Sequence, residues 1–190
     1  MSEHEILQDL EQALSPKRFL HTLGTAKAAL ILAKHYGADV SQAHLAALVH
    51  DCAKELPYEQ QLSLAQRSIQ APDEQDLLFP PTLHAPASEV LARERYGVCD
   101  TAILCAVRYH TIPRENMTRL DKIIFLADYI EENRTFPGVD ALRTAAFEDL
   151  RIALRQALLG TMQHLLSTGT LVHPDTLRFY NALTLELSDL

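Results

Sequence analysis

Residues 47–56 read ALVHDCAKEL, and this stretch combines two patterns that rarely share a helix. From Leu45 onward, apolar side chains recur at i, i+3, i+4 and i+7, the spacing of a helix face that packs on a core. His50 and Asp51 interrupt the apolar sequence. Because an ionised carboxylate in apolar surroundings is costly unless it is paired or holds a metal, the stretch predicts a helix that carries a chemically useful pair beside the core.

The rest of the chain also has helical spacing. Gly and Pro fall between periodic segments, and no stretch alternates with the period of two that is typical of strands. We predict one all-α domain over residues 1–190, a helical bundle with 140–190 as C-terminal packing helices. The irregular segment 70–83 is interpreted as a loop near a site. The predicted helices cover 3–14, 16–36, 39–54, 58–68, 84–96, 99–110, 116–133, 140–167 and 174–188.

Composition narrows the classes of function. The formal net charge is -8 and the chain has no basic stripe, which argues against a nucleic-acid partner. It has neither an apolar run long enough for a membrane span nor the basic and apolar start of a signal peptide, so we expect a cytoplasmic protein without membrane contact. The three cysteines form no CxxC, and we interpret them as reduced thiols, with Cys52 packed in the core.

Histidine and aspartate occur at apolar positions on several separate helices. Taken singly, each has a structural explanation: a core histidine bonded to a carbonyl, Asp128 paired with Arg134 or Lys122, or Asp51 paired with Lys54. Taken together, imidazoles and carboxylates from several helices suit a transition-metal site inside a bundle. The candidates are His21, His50, Asp51, His84, His110 and Asp128, and we expect no site role for His4, His35, His44, His164 or His173.

Five segments together resemble a known family. The stretch HDCAK resembles the signature of the HD superfamily of metal-dependent phosphohydrolases. The wider pattern is similar to the YqeK-type symmetrical bis(5′-nucleosyl)-tetraphosphatases over about residues 17–142. The segments are FLHTLGTAKAALILAKHYGAD (19–39), AALVHDCAKEL (46–56), the helix that His84 begins, AVRYHT (106–111) and LDKIIFLADYIEENRTFPGVD (120–140).

This resemblance implies a site with two divalent metal ions, with iron preferred and manganese or cobalt as alternatives. It implies that His21, His50, Asp51 and Asp128 hold the first ion, and that His84 and His110 complete the second with Asp51 as the bridge. Two loops depart from the family's pattern: HAPASEVLA (84–92) replaces a Gly-rich stretch, and HTIP (110–113) replaces HTTG. These changes leave the ligands intact and leave the preferred dinucleotide open.

The resemblance also implies a reaction, in which diadenosine tetraphosphate (Ap4A) is cleaved to two ADP by attack of a metal-bridging hydroxide on phosphorus. We expect Asp51, Lys54 and Asp128 to be catalytic, with Asp128 either a ligand or an orienting base. Arg18, Lys54 and Arg134 are the candidates for binding phosphate. The expected partners are a dinucleoside polyphosphate or a nucleoside diphosphate, and the Leu- and Ala-rich C-terminal segment is compatible with packing or with a homodimer interface.

Two other readings stay open from the sequence. One keeps the metal site but changes the substrate to another nucleotide or a guanosine polyphosphate. The other is a metal-bound protein that senses a nucleotide without turnover. The variant Asp51→Asn separates catalysis from sensing, because a catalytic site loses turnover whereas a sensor keeps its downstream behaviour.

Overall fold

The computed structural model describes residues 1–188, which contain ten α-helices, two short 3₁₀ turns and no strand. No helix in this range is long and apolar enough to cross a membrane. The 3₁₀ turns, Asp76–Leu78 and Pro80–Thr82, lie within the segment predicted as irregular. The helices are α1 Glu3–Ala13, α2 Pro16–Tyr36, α3 Val40–Val49, α4 Tyr58–Ala65, α5 His84–Glu94, α6 Thr101–Arg108, α7 Arg119–Ile130, α8 Val139–Glu148, α9 Leu150–Ser167 and α10 Pro174–Ser188.

Local sequence signals account for the bounds of the early helices. The Ser15 side chain accepts a hydrogen bond from the backbone of Arg18, and Pro16 occupies the first position of α2. Gly37 ends α2 in the left-handed conformation, with φ of 61°, which a residue without Cβ adopts at little cost. Asp39 then caps α3. These caps set both ends of α2, which carries His21, and the start of α3, which leads to His50 and Asp51.

Four helices form the centre of the bundle. α2 packs on α3 and α7, while α3 and α7 also contact α6, and α5 lies against α4 and α6. Alanines on α2 and α3, including Ala29, Ala33 and Ala46, are fully buried, so these two helices approach each other closely. α7 packs against both of them and buries large side chains such as Ile124 and Phe125. The all-α prediction is therefore confirmed.

The predicted helix 39–54 is too long, because α3 ends at Val49. The chain continues in tight turns, in which the Lys54 amide donates to the Asp51 carbonyl at 2.9 Å. Two side chains take up a backbone carbonyl and a backbone amide that would form helical hydrogen bonds if the α-helix continued. His50 Nδ1 lies 2.6 Å from the Ala47 carbonyl, and the Ala53 amide donates to Ser88 Oγ at 3.0 Å. The His–Asp pair thus lies just beyond the helix rather than within it.

The predicted helix 140–167 is also wrong as a single element. Asp149 has an extended backbone, with φ of -149° and ψ of 120°, and its side chain accepts from the Arg151 amide as the cap of α9. The chain therefore turns between α8 and α9, which allows α9 to pack on α7 while α10 packs on α9. The division into one domain with C-terminal packing helices stays a prediction, and Asp189 and Leu190 of that segment lie outside the described residues.

Candidate metal centre

The fold brings together the six side chains that the sequence singled out. His21 comes from the first turns of α2, and Asp128 from the last turn of α7. The others lie at helix ends, where the backbone changes direction: two directly follow α3, one begins α5 and one follows α6. All but Asp128 are buried, with exposed fractions between 0% and 7%: His21, His50, Asp51, His84 and His110.

The two carboxylate oxygens of Asp51 face different pairs of imidazoles. Oδ2 lies 3.7 Å from His21 Nε2 and 3.6 Å from His50 Nε2. Oδ1 lies 3.2 Å from His84 Nε2 and 3.5 Å from His110 Nε2. The carboxylate therefore stands between two donor groups and contributes one oxygen to each.

Three of the histidines are oriented by the same device. His50 Nδ1 contacts the Ala47 carbonyl at 2.6 Å, and His110 Nδ1 contacts the Val107 carbonyl at 2.7 Å. Both carbonyls belong to the last turn of a helix, where the backbone has no partner of its own. His84 Nδ1 contacts the Pro81 carbonyl at 2.8 Å in the same way, three residues back along the chain. When Nδ1 donates to a carbonyl, the ring keeps its lone pair on Nε2, which faces the Asp51 carboxylate.

The fourth histidine, His21, is oriented by a carboxylate instead. Its Nδ1 lies 3.1 Å from Glu131 Oε1, and its Nε2 lies 2.9 Å from Asp128 Oδ1. Glu131 is itself buried and accepts from the Asn133 backbone amide at 2.7 Å. Gly24 leaves room for this acid, because a Cβ there would lie 2.3 Å from Glu131 Oε2. The glycine of HTLG is thus required by the close approach of Glu131.

The sequence did not single out Glu131 for the site. It lies in YIEENR beside a second glutamate, Glu132, which is exposed and pairs with Lys27. Nothing in the local spacing shows which of the two points inward. Helical spacing does not decide, because Glu131 lies two turns after the buried Ile124 and Glu132 lies two turns after the equally buried Phe125.

Burial and neighbouring charges set the protonation of the cluster. Burial lowers the pKa of His50 to about 4, despite the adjacent Asp51, and burial also lowers the pKa of His84. Burial opposes ionisation of Asp51, but the surrounding imidazoles, His50 first, hold the pKa of this carboxyl well below its ordinary range. Neutral imidazole and ionised carboxylate are the forms that bind metal ions.

Neighbouring charges have a different effect on His21 of α2 and Asp128 of α7. Burial disfavours a proton on His21, but hydrogen bonds to Asp128 and Glu131 outweigh this and raise the pKa of the ring. Burial likewise opposes ionisation of Asp128, and the contacts with His21 and Arg134 lower the pKa of this carboxyl instead. A divalent ion at this position would replace the proton that the carboxylates attract to His21.

Three cationic side chains border the cluster. An Arg18 guanidinium nitrogen donates to Asp51 Oδ2 at 2.7 Å, and Arg134 donates to the Asp128 carboxylate and, at 2.8 Å, to the Asp128 carbonyl. Lys54 does not pair with Asp51; its Nζ lies 3.0 Å from His84 Nδ1. Each cation is partly exposed, so each can face a ligand that approaches the cluster from solvent.

The donor set fits metal ions. The donor atoms form two groups, and within each group all the atoms lie within 4.8 Å of one another. One group comes from His21, His50 and Asp51, and the other comes from Asp51, His84 and His110. His50 Nε2 is buried without a hydrogen-bond partner in the described residues. A buried nitrogen lone pair without a partner is costly unless something fills the position. The residues could therefore hold divalent metal ions, and their role as ligands stays a proposal.

Cys52 has the structural role that the apolar stripe predicts. It is buried, its Sγ lies 3.6 Å from the Ser88 carbonyl, and burial raises the pKa of its thiol to about 12. A thiol with so high a pKa is not a nucleophile at neutral pH.

Comparisons with known proteins agree with this geometry. The HD domain model matches residues 18–133. A protein of Halalkalibacterium halodurans, named symmetrical bis(5′-nucleosyl)-tetraphosphatase, is 43% identical over 188 residues, which cover 98% of this chain and 99% of the relative. A Bacillus subtilis protein of the same name is 42% identical and is covered to 97%, with 95% of this chain matched.

A solved structure extends the likeness to three dimensions. A Clostridium acetobutylicum protein, described as a predicted HD superfamily hydrolase involved in NAD metabolism, superposes with a TM-score of 0.94 at 38% identity, and 98% of each chain is covered. The residues matched by the HD domain model, 18–133, extend from α2 to just past α7. They include His21, His50, Asp51 and the other side chains of the candidate metal centre. With its buried His–Asp pair, its helical bundle and this range of similarity, the chain belongs to the HD domain family.

Proposed function

We propose that this protein is a metal-dependent hydrolase that cleaves diadenosine tetraphosphate symmetrically to two ADP. The observation that carries the proposal is the position of Asp51, with one carboxylate oxygen toward each of two pairs of imidazoles. Two relatives that match nearly the whole chain carry the name of this activity. The substrate is therefore a dinucleoside polyphosphate and the product a nucleoside diphosphate.

The cofactor we propose is a pair of divalent metal ions, iron before manganese or cobalt. His21, His50, Asp51 and Asp128 would hold one ion. His84 and His110, with the second oxygen of Asp51, would hold the other. When bound, such a pair lowers the pKa of a coordinated water and withdraws charge from phosphoryl oxygens. Imidazole and carboxylate donors suit all three metals, so the choice among them rests on resemblance alone.

The chain's own cations would bind the polyphosphate. Arg18 and Arg134 carry planar guanidinium groups that suit two phosphate oxygens at once, and Lys54 supplies a compact charge beside His84 of the second donor group. In a protein with a net charge of -8, this local concentration of positive charge is what an anionic substrate requires. We propose that Lys54 also assists catalysis by neutralising charge on the departing ADP.

Asp128 has a further proposed role as an orienting group. It contacts His21 and Arg134, so it links a metal-binding imidazole to a phosphate-binding guanidinium. The ionised carboxylate would hold Arg134 toward the substrate. Loss of this group would therefore impair both ligand geometry and phosphate binding.

The location of the enzyme in the cell and its oligomeric state are proposals as well. We place the enzyme in the cytoplasm, where Cys52, Cys99 and Cys105 would remain reduced. A homodimer stays a prediction that sedimentation velocity tests, and the exposed Leu166 and Leu185 of the C-terminal helices are the residues to change.

The decisive experiment combines metal analysis with product identification. Protein purified without oxygen should contain close to two metal ions per chain and should convert Ap4A to ADP alone. The panel should also include guanosine polyphosphates and other dinucleotides, which the alternative substrate reading favours. AMP with ATP as products would contradict symmetrical cleavage, and metal-loaded protein that binds Ap4A without turnover would favour the sensor.

A further inference from the structure

A small cavity opens beside the candidate metal centre, between the start of α4 and the turns that lead into α5. Its volume is about 210 Å³. Sites that hold a whole drug-sized ligand measure roughly 300–1,000 Å³, so this cavity fits one part of a dinucleotide rather than all of it. The lining residues are Lys54, Tyr58, Gln61, Pro80, Pro81 and His84.

The two ends of the cavity differ in chemistry. The inner end is polar, where Lys54 Nζ lies 3.0 Å from His84 Nδ1 and 3.5 Å from the Pro81 carbonyl. The outer end is formed by the ring of Tyr58 and by Pro80, both exposed to solvent. An anionic group suits the inner end, and a flat apolar group suits the outer one.

The position of Tyr58 is fixed although its side chain is free. Tyr58 is the first residue of α4, and its side chain is 45% exposed, so its ring does not serve the core. Gln61, one turn later, donates to the Leu56 carbonyl at 2.8 Å and to the Lys54 carbonyl at 3.2 Å. These bonds tie α4 to the turn that carries Asp51. The backbone that carries the ring is therefore held in place beside the site where phosphate would react.

We propose that the Tyr58 ring, with Pro80 beside it, is a stacking surface for one nucleobase of the substrate, whose phosphates extend toward Lys54 and His84. Aromatic side chains bind bases by stacking without regard to the base. The inference rests on the proposed function, because it assumes a nucleotide whose phosphates lie at the metal centre. A fixed base would also determine how many phosphates reach the centre, and so which anhydride bond is cleaved.

The test compares two ligands that both contain a diphosphate, of which only one carries a nucleobase. ADP and pyrophosphate are titrated into metal-loaded protein by calorimetry. Tyr58→Ala should weaken ADP binding by roughly 5- to 150-fold, the range expected for the loss of one stacked base, and should leave pyrophosphate binding within twofold. Tyr58→Phe should restore ADP affinity. With Ap4A, Tyr58→Ala should raise KM with kcat little changed.

Phe147→Ala is the matched control, because it removes another exposed aromatic ring, one that lies on α8. Equal loss of ADP and pyrophosphate affinity in Tyr58→Ala, or no loss of either, would overturn the stacking surface. If wild-type protein fails to cleave Ap4A but ADP affinity still depends on the ring, the proposed function fails and the base site stands. If Ap4A is cleaved and Tyr58→Ala behaves as wild type, the base site fails and the function stands.

Discussion

The candidate metal centre and the C-terminal layer, which consists of α9 and α10, both contain buried side chains, but of opposite kinds. Around Asp51 the buried groups are imidazoles and a carboxylate, which lose hydration when they leave water. Between α9 and α10 they are Leu154, Leu158, Phe179 and Leu183, each no more than 1% exposed, and their burial stabilises the fold. The difference teaches that the polar groups of the centre lose hydration on burial whereas the apolar groups of α9 and α10 add to the hydrophobic core, so we expect their variants to affect metal binding and unfolding free energy to different extents.

The largest effect should follow from Asp51→Asn, which keeps the shape of the side chain but removes its negative charge. Partners that only orient metal ligands already contribute about 10- to 100-fold, so loss of the shared carboxylate should lower metal-dependent turnover by at least about 100-fold. Turnover of Ap4A and bound metal should fall while circular dichroism stays unchanged. Asp140→Asn, in an exposed position on α8, is the control. Wild-type turnover in Asp51→Asn would remove Asp51 from the mechanism.

The C-terminal layer is tested by Leu158→Ala. Truncating a fully buried leucine leaves a cavity and should lower the free energy of unfolding by about 2–5 kcal/mol, as measured by urea denaturation. Turnover per folded molecule should not change, because α9 contributes none of the six candidate ligands. Leu185→Ala, at a site 67% exposed, should cost less than about 0.5 kcal/mol. Lost turnover in fully folded Leu158→Ala would show that the two regions are coupled.

Two adjacent glutamates give a finer comparison within the site. Glu131→Gln removes the carboxylate that orients His21 and should weaken metal binding by about 10- to 100-fold. Glu132→Gln changes an exposed residue that pairs with Lys27 and should leave metal affinity within twofold. Metal titrations of the two variants against a competing chelator measure the difference. Equal affinities would mean that the contact between Glu131 and His21 does not support the ligand.

The smallest effect concerns Cys52, which adjoins the central aspartate. Its buried thiol, with a pKa raised to about 12, should react with iodoacetamide far more slowly than the exposed Cys99. Mass spectrometry of partly labelled protein should find Cys99 modified first and turnover retained. Early labelling of Cys52 accompanied by loss of turnover would instead give this thiol a role in the reaction.

The helices and the gathered side chains could be predicted because their signals are local. Ser15, Pro16 and Gly37 mark the ends of α2 through backbone preferences that hold in any protein. Histidine and aspartate at apolar positions are conspicuous because burial of such groups needs a reason. Six such residues occur on five separate segments, and these segments resemble a known family, so the sequence predicts that the six side chains share one site.

Two of the three errors have physical causes that act at long range, and the third reflects a local pattern that fits two structures. The helix through HDCAK ends early because Ser88, a residue of α5, accepts the Ala53 amide. Helix 140–167 divides at Asp149, whose neighbours have helical spacing on both sides and whose side chain caps α9. The pairing of Asp51 with Arg18, rather than with Lys54, depends on how α2 lies against the turn after α3. In each case the competing partner comes from outside the local pattern, or the pattern fits two structures equally.

By itself the sequence determined the all-α class, both ends of α2 and the identity of the polar residues that burial must accommodate. These features follow from periodicity and backbone preference, which act within a few residues. Only the tertiary structure decided that one oxygen of Asp51 faces His21 and His50 while the other faces His84 and His110. It also decided that Glu131 rather than Glu132 points inward. Such choices depend on how distant helices pack, and distances between helices are not set by spacing along the chain.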